Sequence, residues 1–276
     1  MSELLRLEDV ALRGDGPTLT LSVSSGSVIG VYGNPKSGKS EFLQIIADEA
    51  KPARGSVHVR CQIAQAEAAG PLRRVKPVHL ARNGKTAEAT SLATEALLAT
   101  HLWDVRSKPI ATLSAGQKAA SELLTPLTSE AQLLLIDMQL DALDPWTLKS
   151  VLAHIRKLRS HGVSAIIASN RLDLLKHLDH IVVLENRTVR FAGNGDDLIR
   201  LRGNHHFTVS ANDQPGALAL VAPFAISVEE RQNELRFHAA EGQEIAARLL
   251  LEGYGNVSLV VTRPPSLEEA LLSLLR

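Results

Sequence analysis

Very little in this 276-residue sequence could stack on a base, cross-link the chain or cross a bilayer. Aromatic residues make up 3% of it, so the core must be aliphatic, and stacking platforms for single-stranded nucleic acid are not expected. A single cysteine, Cys61, rules out an internal disulfide and fits a reducing compartment. An excess of one charge sign is missing too: 30 Lys and Arg stand against 30 Asp and Glu. That balance argues against a general binder of nucleic acid or anionic membranes. No apolar run approaches the roughly twenty residues that span a bilayer, and the start, Met1-Ser2-Glu3-Leu4-Leu5-Arg6, has no basic-then-apolar signal pattern. The expectation is a cytoplasmic chain that reaches any membrane only through a partner.

What is present reads first as alternating strands and helices. Leu5 to Val10 and Leu19 to Val23 alternate apolar and polar residues, as half-buried strands do, across the turn-rich Arg13 to Pro17. Val28 to Tyr32 is apolar on both faces, which suits the middle of a parallel sheet. Further buried strands are expected at 133–136, 165–168 and 181–184, with a mostly helical insertion over about 66–123. Near Gly203 the pattern changes to short strands and helices in the order β-α-β-β-α-β, the sequence of a small ferredoxin-like unit. Two domains are therefore expected, 1–203 and 204–276. A last helix is expected to begin at Ser266, which stands three residues before Glu269 in capping-box spacing.

The chemistry concentrates at Gly33-Asn34-Pro35-Lys36-Ser37-Gly38-Lys39-Ser40, which fits G-x-x-x-x-G-K-[ST] in full between a buried strand and a helix. Glycines let backbone N–H groups turn in on phosphate oxygens, and the helix N-terminus adds positive potential. Lys39 would reach the β- and γ-phosphates of a nucleotide, and the Ser40 hydroxyl would ligate Mg²⁺. A buried strand ending in aspartate should complete such a site, and Leu133 to Ile136 followed by Asp137 supplies it.

Leu113-Ser114-Ala115-Gly116-Gln117 closely resembles the signature sequence of ABC transporter ATP-binding subunits, with alanine where glycine is usual. It lies in the family's order, after the helical insertion and before the Asp137 strand. The resemblance covers about residues 5–200 and implies a P-loop NTPase fold of the ABC ATPase type, here with the ferredoxin-like α+β unit appended. It implies ATP and Mg²⁺ as ligands, and two such domains sandwiching nucleotides head to tail. The partner would be a second copy or a different ABC ATPase subunit, and both would act on a transmembrane transporter subunit at the inner face of the membrane. On this pattern Ser114, Gly116 and Gln117 would serve the nucleotide held by the partner, and Asp144 would lie in the loop that links the two domains. Gln65 would face the γ-phosphate and the cation, although Gln62 competes for that assignment. Pro265 to Leu271 resembles the end of ATPase subunits from drug- and lipid-exporting systems.

The sequence departs from the family at three places. Met138 stands where a glutamate usually positions the attacking water, and a thioether cannot take a proton from it. Asn170 stands where a histidine usually meets the γ-phosphate, and no aromatic occurs near Leu12 to Gly14 to stack on adenine. The expected function is thus an ABC transporter subunit that binds MgATP, with weak or no hydrolysis at its own site and no catalytic residue assigned. A non-transport regulator using the same fold as a nucleotide-responsive scaffold is the alternative. A small-molecule P-loop kinase would leave the signature sequence unexplained. Arg73, Arg74, Lys76, Arg82 and Lys85 read as a solvated charged face, with contact to a transmembrane subunit, which the resemblance places nearby, as the alternative; His177 with His180 read as neighbours on a surface helix. His205-His206 reads as linker.

Overall fold

The computed structural model describes residues 2–66, 74–82, 84, 86–231, 234–239, 243–252 and 257–275. The chain divides into two units, Met1–Gly193 and Asn194–Arg276. Arg73 and Lys85 lie outside the described residues; Arg74 and Arg82 are exposed and Lys76 half-buried.

In the first unit, β1 (Glu3–Ala11), β2 (Leu19–Ser24) and, beyond β3 (Val28–Gly33) and α1 (Lys39–Ile46), β4 (Arg54–Val59) make an antiparallel sheet in the order β2-β1-β4. The chain continues through β5 (Ile63–Gln65), α2 (Pro77–Leu80), α3 (Ala87–Ala99), α4 (Ala115–Glu122), α5 (Leu124–Thr128), β6 (Leu133–Asp137), α6 (Pro145–Ser160), β7 (Ser164–Ala168), β8 (His180–Glu185) and β9 (Thr188–Gly193). These build a six-stranded sheet in the order β5-β6-β7-β3-β8-β9, parallel except for the β8–β9 hairpin. Among the described residues of 66–123 there is no strand, as expected of the insertion.

The apolar runs are explained by burial on both faces of this sheet. Along β6, Leu134 and Ile136 enter a core with the helices α3 to α6, while Leu133 and Leu135 enter another with α1 and the three-stranded sheet. β7 divides the same way, Ala165 and Ile167 against Ile166 and Ala168. The sequence reading missed β4, β5, β9 and the helix after β9. β4 is largely exposed and β5 only three residues long, so neither carries a buried-strand pattern.

The turn after β8 is strained. β8 and β9 are joined by two residues, Asn186 and Arg187, both with left-handed backbone (φ 48° and 60°). A two-residue hairpin loop with both φ values positive is the primed turn that favours Asn followed by Gly. Arginine in that second position costs about 1 kcal/mol of backbone strain.

The second unit contains α7 (Gly195–Arg202), β10 (His205–Ala211), α8 (Gln214–Val221), β11 (Ser227–Arg231), β12 (Glu234–Ala239), α9 (Gln243–Glu252), β13 (Val257–Arg263) and α10 (Leu267–Leu274). Its sheet runs β11-β12-β10-β13, antiparallel throughout, the arrangement that the β-α-β-β-α-β order implies. Phe207 and Phe237 stack at its centre with ring centroids 4.7 Å apart. The expected domain boundary at 203/204 falls later than the division at 193/194. The reason is that α7 belongs with α10: Gly195 lies against Leu267, Gly203 against Pro265, and the Ser273 hydroxyl donates to the Arg202 carbonyl (3.3 Å).

Two readings of histidines are corrected. His177 ends a short 3-10 turn and His180 opens β8, so they share no helix. His205 and His206 are not linker but the start of β10, where the His206 ring meets His238 edge-on at 4.2 Å.

The capping box at α10 is formed: Glu269 accepts from the Ser266 N–H (3.0 Å), and Ser266 Oγ from the Glu269 N–H (3.2 Å). Glu269 also binds Arg263 (2.6 Å) and His206 (3.1 Å). Burial alone would push its carboxyl up, but the Ser266 N–H, Arg263 and His206 together hold it down at about 2. A carboxyl depressed in the folded state stabilises above its unfolded value and loses that contribution as pH falls through the folded one. The loss should run from about 4.5 down to about 2. Glu269→Gln is expected to destabilise the second unit by about 1 kcal/mol at neutral pH, a capping-scale effect moderated by solvent exposure. Thermal unfolding at pH 7 and pH 3 checks this: the difference between variant and parent should shrink at the lower pH.

Candidate nucleotide site

Residues 33–40 lead from the end of β3 into α1, as the motif requires. β3 is buried throughout and lies between β7 and β8, so the loop leaves the sheet from a rigid central strand. A side chain at Gly33 would meet the Leu184 carbonyl and Ser37 Oγ, each 2.3 Å from its first carbon. Gly38, at the helix N-cap, has φ +103°, and Leu12 and Arg187 pack close on it. Both glycines are therefore dictated by the loop, one by close approach and one by backbone conformation.

Lys39 is buried at 7% exposure, and its ammonium donates to the carbonyls of Gly33 and of Asn34 (3.2 Å). Burial pulls its pKa down from the usual lysine value, partly offset by the carboxylates of Asp141 and Asp137. A cavity of about 450 Å³ opens over the loop, lined by Pro35 to Glu41 together with Met138, Asn170 and Arg187. Gly33, Asn34 and Asp137 stand outside that lining, although Gly33 and Asn34 hold Lys39.

Asp137 ends β6 in parallel register with Ala168 of β7. Its Oδ1 is buried, as is Ser37 Oγ, and neither has a hydrogen-bond partner among the described residues. Buried polar atoms are rarely left so, because desolvation without a partner costs free energy. An oxygen-rich anion and a hard cation fit this donor set: loop amides, the Lys39 ammonium, the Ser40 hydroxyl and the Asp137 carboxylate. No group of three His, Cys, Asp or Glu residues among those described is placed to hold a metal by itself. Gln65 ends β5, half-buried and in register with Leu135. Neither it nor Gln62, which lines a different hollow with residues 129–131, reaches the cavity over the loop.

Met138 follows Asp137 in a left-handed conformation (φ 68°), and it lines the cavity. The segment beyond it turns back on the end of β7. Asp141 accepts from the Ser169 hydroxyl and from the Asn170 N–H (2.9 Å), fixing the backbone that carries Asn170. Arg171 extends this brace by donating to the Leu143 carbonyl (2.8 Å), and the Tyr32 hydroxyl donates to the Arg171 carbonyl (2.9 Å). Burial, then the charges of Asp141 and Asp173, push the Tyr32 phenol up and keep it a donor.

Ser114, Gly116 and Gln117 line a separate cavity of about 360 Å³ with Thr100, His101, Ala120, Ala142, Asp144 and Thr147. Ser114 caps α4 in a full capping box with Gln117, so the helix begins inside the signature sequence, at Ala115. Asp144 caps α6, accepting from the N–H groups of Trp146 and Thr147 (3.0 Å each) and from the Thr147 hydroxyl (2.6 Å). These bonds, the hydroxyl's foremost, hold its carboxyl below the usual range. His101 joins the same cluster through Thr147 (3.2 Å) and Ser150 (3.1 Å). Pro145 takes the first helical position, where its missing N–H costs little. The structure thus groups Lys39, Ser40 and Met138 on one cavity and the signature residues on another.

Sequence reasoning missed Asp141, Arg187 and Glu41. Only Glu41, directly after the motif, could have been read as part of the site. Asp141 and Arg187 arrive through contacts that no spacing announces.

Residues 17–139 match the family model described as ABC transporter. The methionine import ATP-binding protein MetN of Brucella abortus (strain 2308) is 26% identical over 212 residues, covering 67% of this chain and 56% of that protein. The cytochrome c biogenesis ATP-binding export protein CcmA of Sphingopyxis alaskensis is 28% identical over 193 residues, covering 66% of this chain and 98% of that protein. A solved ATP-binding subunit of an ABC transporter superposes with a TM-score of 0.64 at 21% identity, over 72% of this chain and 92% of that one. The chain spans about 56% of the length of the Brucella relatives. Import and export names both occur among these proteins, so the exporter-like tail at Pro265 to Leu271 gains no support from them. Its Ser266 and Glu269 are accounted for by the capping of α10.

Proposed function

Because this chain carries an ATP-binding domain of the ABC transporter family, we propose that it binds MgATP at its own phosphate loop and hydrolyses it slowly there. The loop amides and the Lys39 ammonium would hold the phosphates, the ammonium exchanging its bonds to Gly33 and Asn34 for bonds to phosphate oxygens. Ser40 and Asp137 would hold Mg²⁺, which when bound supplies positive charge beside the phosphates. What supports slow turnover is the wall of the cavity. Met138 occupies the place beside Asp137, and the carboxylate that does line the cavity, Glu41, is bound to Arg187. Among the described residues of that wall, no side chain is both free and basic enough to draw a proton from water. General-base help is worth about 10²–10⁴-fold.

Asn170 would still donate a hydrogen bond, from an amide set by Asp141, but carries no charge to the γ-phosphate. Ser114 and Gly116, on their own cavity, would serve a nucleotide presented by a second ATP-binding domain. With a partner that keeps a glutamate and a histidine, that composite site would turn over while the site at Lys39 acts as a clamp. Closure of the pair would then drive a membrane-spanning partner. Among the described residues no helix is long and apolar enough to cross a membrane. The transport names of the relatives favour this reading over a regulatory scaffold.

Calorimetry with MgATP on the isolated chain, paired with a steady-state phosphate-release assay, tests the proposal. Binding with turnover far below the usual enzyme range of about 1–10³ s⁻¹ is expected. A chain that turns over within that range by itself refutes the slow-site reading, and a chain that takes up no nucleotide refutes the binding one.

A further inference from the structure

Arg187 comes to the phosphate loop from the turn between β8 and β9. Its backbone N–H donates to the Ser37 carbonyl (2.8 Å), and its Cγ and Cα pack on Gly38. Arg187 lines the cavity, and its guanidinium binds the Glu41 carboxylate and, at 3.4 Å, the Leu12 carbonyl. Glu41 sits in the first turn of α1, directly after Ser40, and lines the same cavity. A carboxylate at the mouth of a site built for phosphate repels its ligand. The guanidinium that neutralises it stands half-exposed at 51%. It also holds a backbone conformation that asparagine or glycine would adopt with less strain.

We infer that Arg187 is a phosphate-binding residue held in reserve on Glu41, and that an arriving polyphosphate takes its guanidinium from the carboxylate. The inference deepens the nucleotide reading and rests on it. A guanidinium can make two parallel charged bonds to either group, but a polyphosphate carries more negative charge and more acceptor oxygens than the single carboxylate it would replace. The ion pair cancels the Glu41 charge beside the loop until that exchange occurs. Its strength sets the cost of binding, so weakening the acid should help the ligand and removing the base should hurt it. A pair that merely braces the loop predicts something else: both changes would harm binding, or neither would matter.

The variants Arg187→Gly and Glu41→Gln separate these cases. Glycine suits the left-handed turn position, so Arg187→Gly should unfold at the same temperature as the parent or higher. Calorimetric titration with MgATP and, separately, with magnesium tripolyphosphate reads the affinities. Arg187→Gly should weaken both ligands about tenfold, and Glu41→Gln should tighten both about threefold. Both effects should fall as salt rises from about 50 to about 500 mM. Parent binding that is unchanged in Arg187→Gly, or weakened in both variants, overturns the inference and leaves the nucleotide reading standing. A loss with MgATP but not with tripolyphosphate moves the contact to the nucleoside and overturns the phosphate assignment. A parent that binds neither ligand removes the nucleotide reading, and this inference with it.

Discussion

Met138→Glu is expected to raise ATP turnover by the isolated chain about 10²-fold, and together with Asn170→His by up to about 10⁴-fold. The structure makes the first substitution favourable. Met138 already lines the cavity beside the Asp137 strand end, and its backbone is pinned by donating to the Ala168 carbonyl (3.0 Å) and accepting from the Asp141 N–H (3.0 Å). A carboxylate there inherits a fixed position. Its left-handed backbone (φ 68°) is kept by those bonds whatever the side chain, so folding should change little. Asn170 is held as firmly, through its N–H on Asp141, so a histidine would project from the same anchored backbone. The measurement is phosphate release under saturating MgATP, with calorimetric affinity as the control. Unchanged turnover in a double variant that still binds nucleotide would mean that something other than the missing groups limits the rate.

Replacing Lys39 acts on binding instead. Lys39→Ala should weaken MgATP affinity by about 10²-fold or more, since each bond from an ammonium to a charged oxygen is worth about 1.5–3 kcal/mol. Stability without nucleotide should change far less, because the parent bears the desolvation of a buried cation and satisfies it only with two loop carbonyls. Burial lowers the lysine's pKa, which fixes two opposite trends at alkaline pH. Nucleotide affinity should fall as pH rises through the lowered pKa, because the charged form binds. Between that value and 10.5 the unfolded chain holds the proton more tightly, so this group's contribution to stability rises with pH. Calorimetry at about pH 7 and about pH 9.5, with chemical denaturation at the same values, reads both.

The site was legible where chemistry and spacing coincide. Gly33 to Ser40 could be placed between strand and helix because a phosphate loop demands both neighbours, and Asp137 because a buried run ended in a carboxylate. The capping box at Ser266 follows from four consecutive residues and needed nothing further. Gln65 was harder: two glutamines three positions apart precede the insertion, and their spacing does not say which one ends a strand. The structure gives that end to Gln65, yet keeps it off the cavity over the loop. The expected domain boundary differs from the division between the two units for a related reason. Gly203-Asn204 looks like a linker, but α7 before it has its apolar partner, α10, at the other end of the second unit.

By itself the sequence determined the local matters: which stretches are buried strands, where the phosphate-loop motif lies, and that a methionine and an asparagine stand at positions 138 and 170. These are settled within a few residues by periodicity, backbone freedom and side-chain chemistry. Only the tertiary structure decided that Asp141 would brace Asn170, that Arg187 would meet Glu41 at the mouth of the loop, and that the signature residues would line a cavity of their own. Those pairings join positions separated by up to 146 residues. Such contacts arise from the order and register of strands in the sheet, which no local pattern encodes.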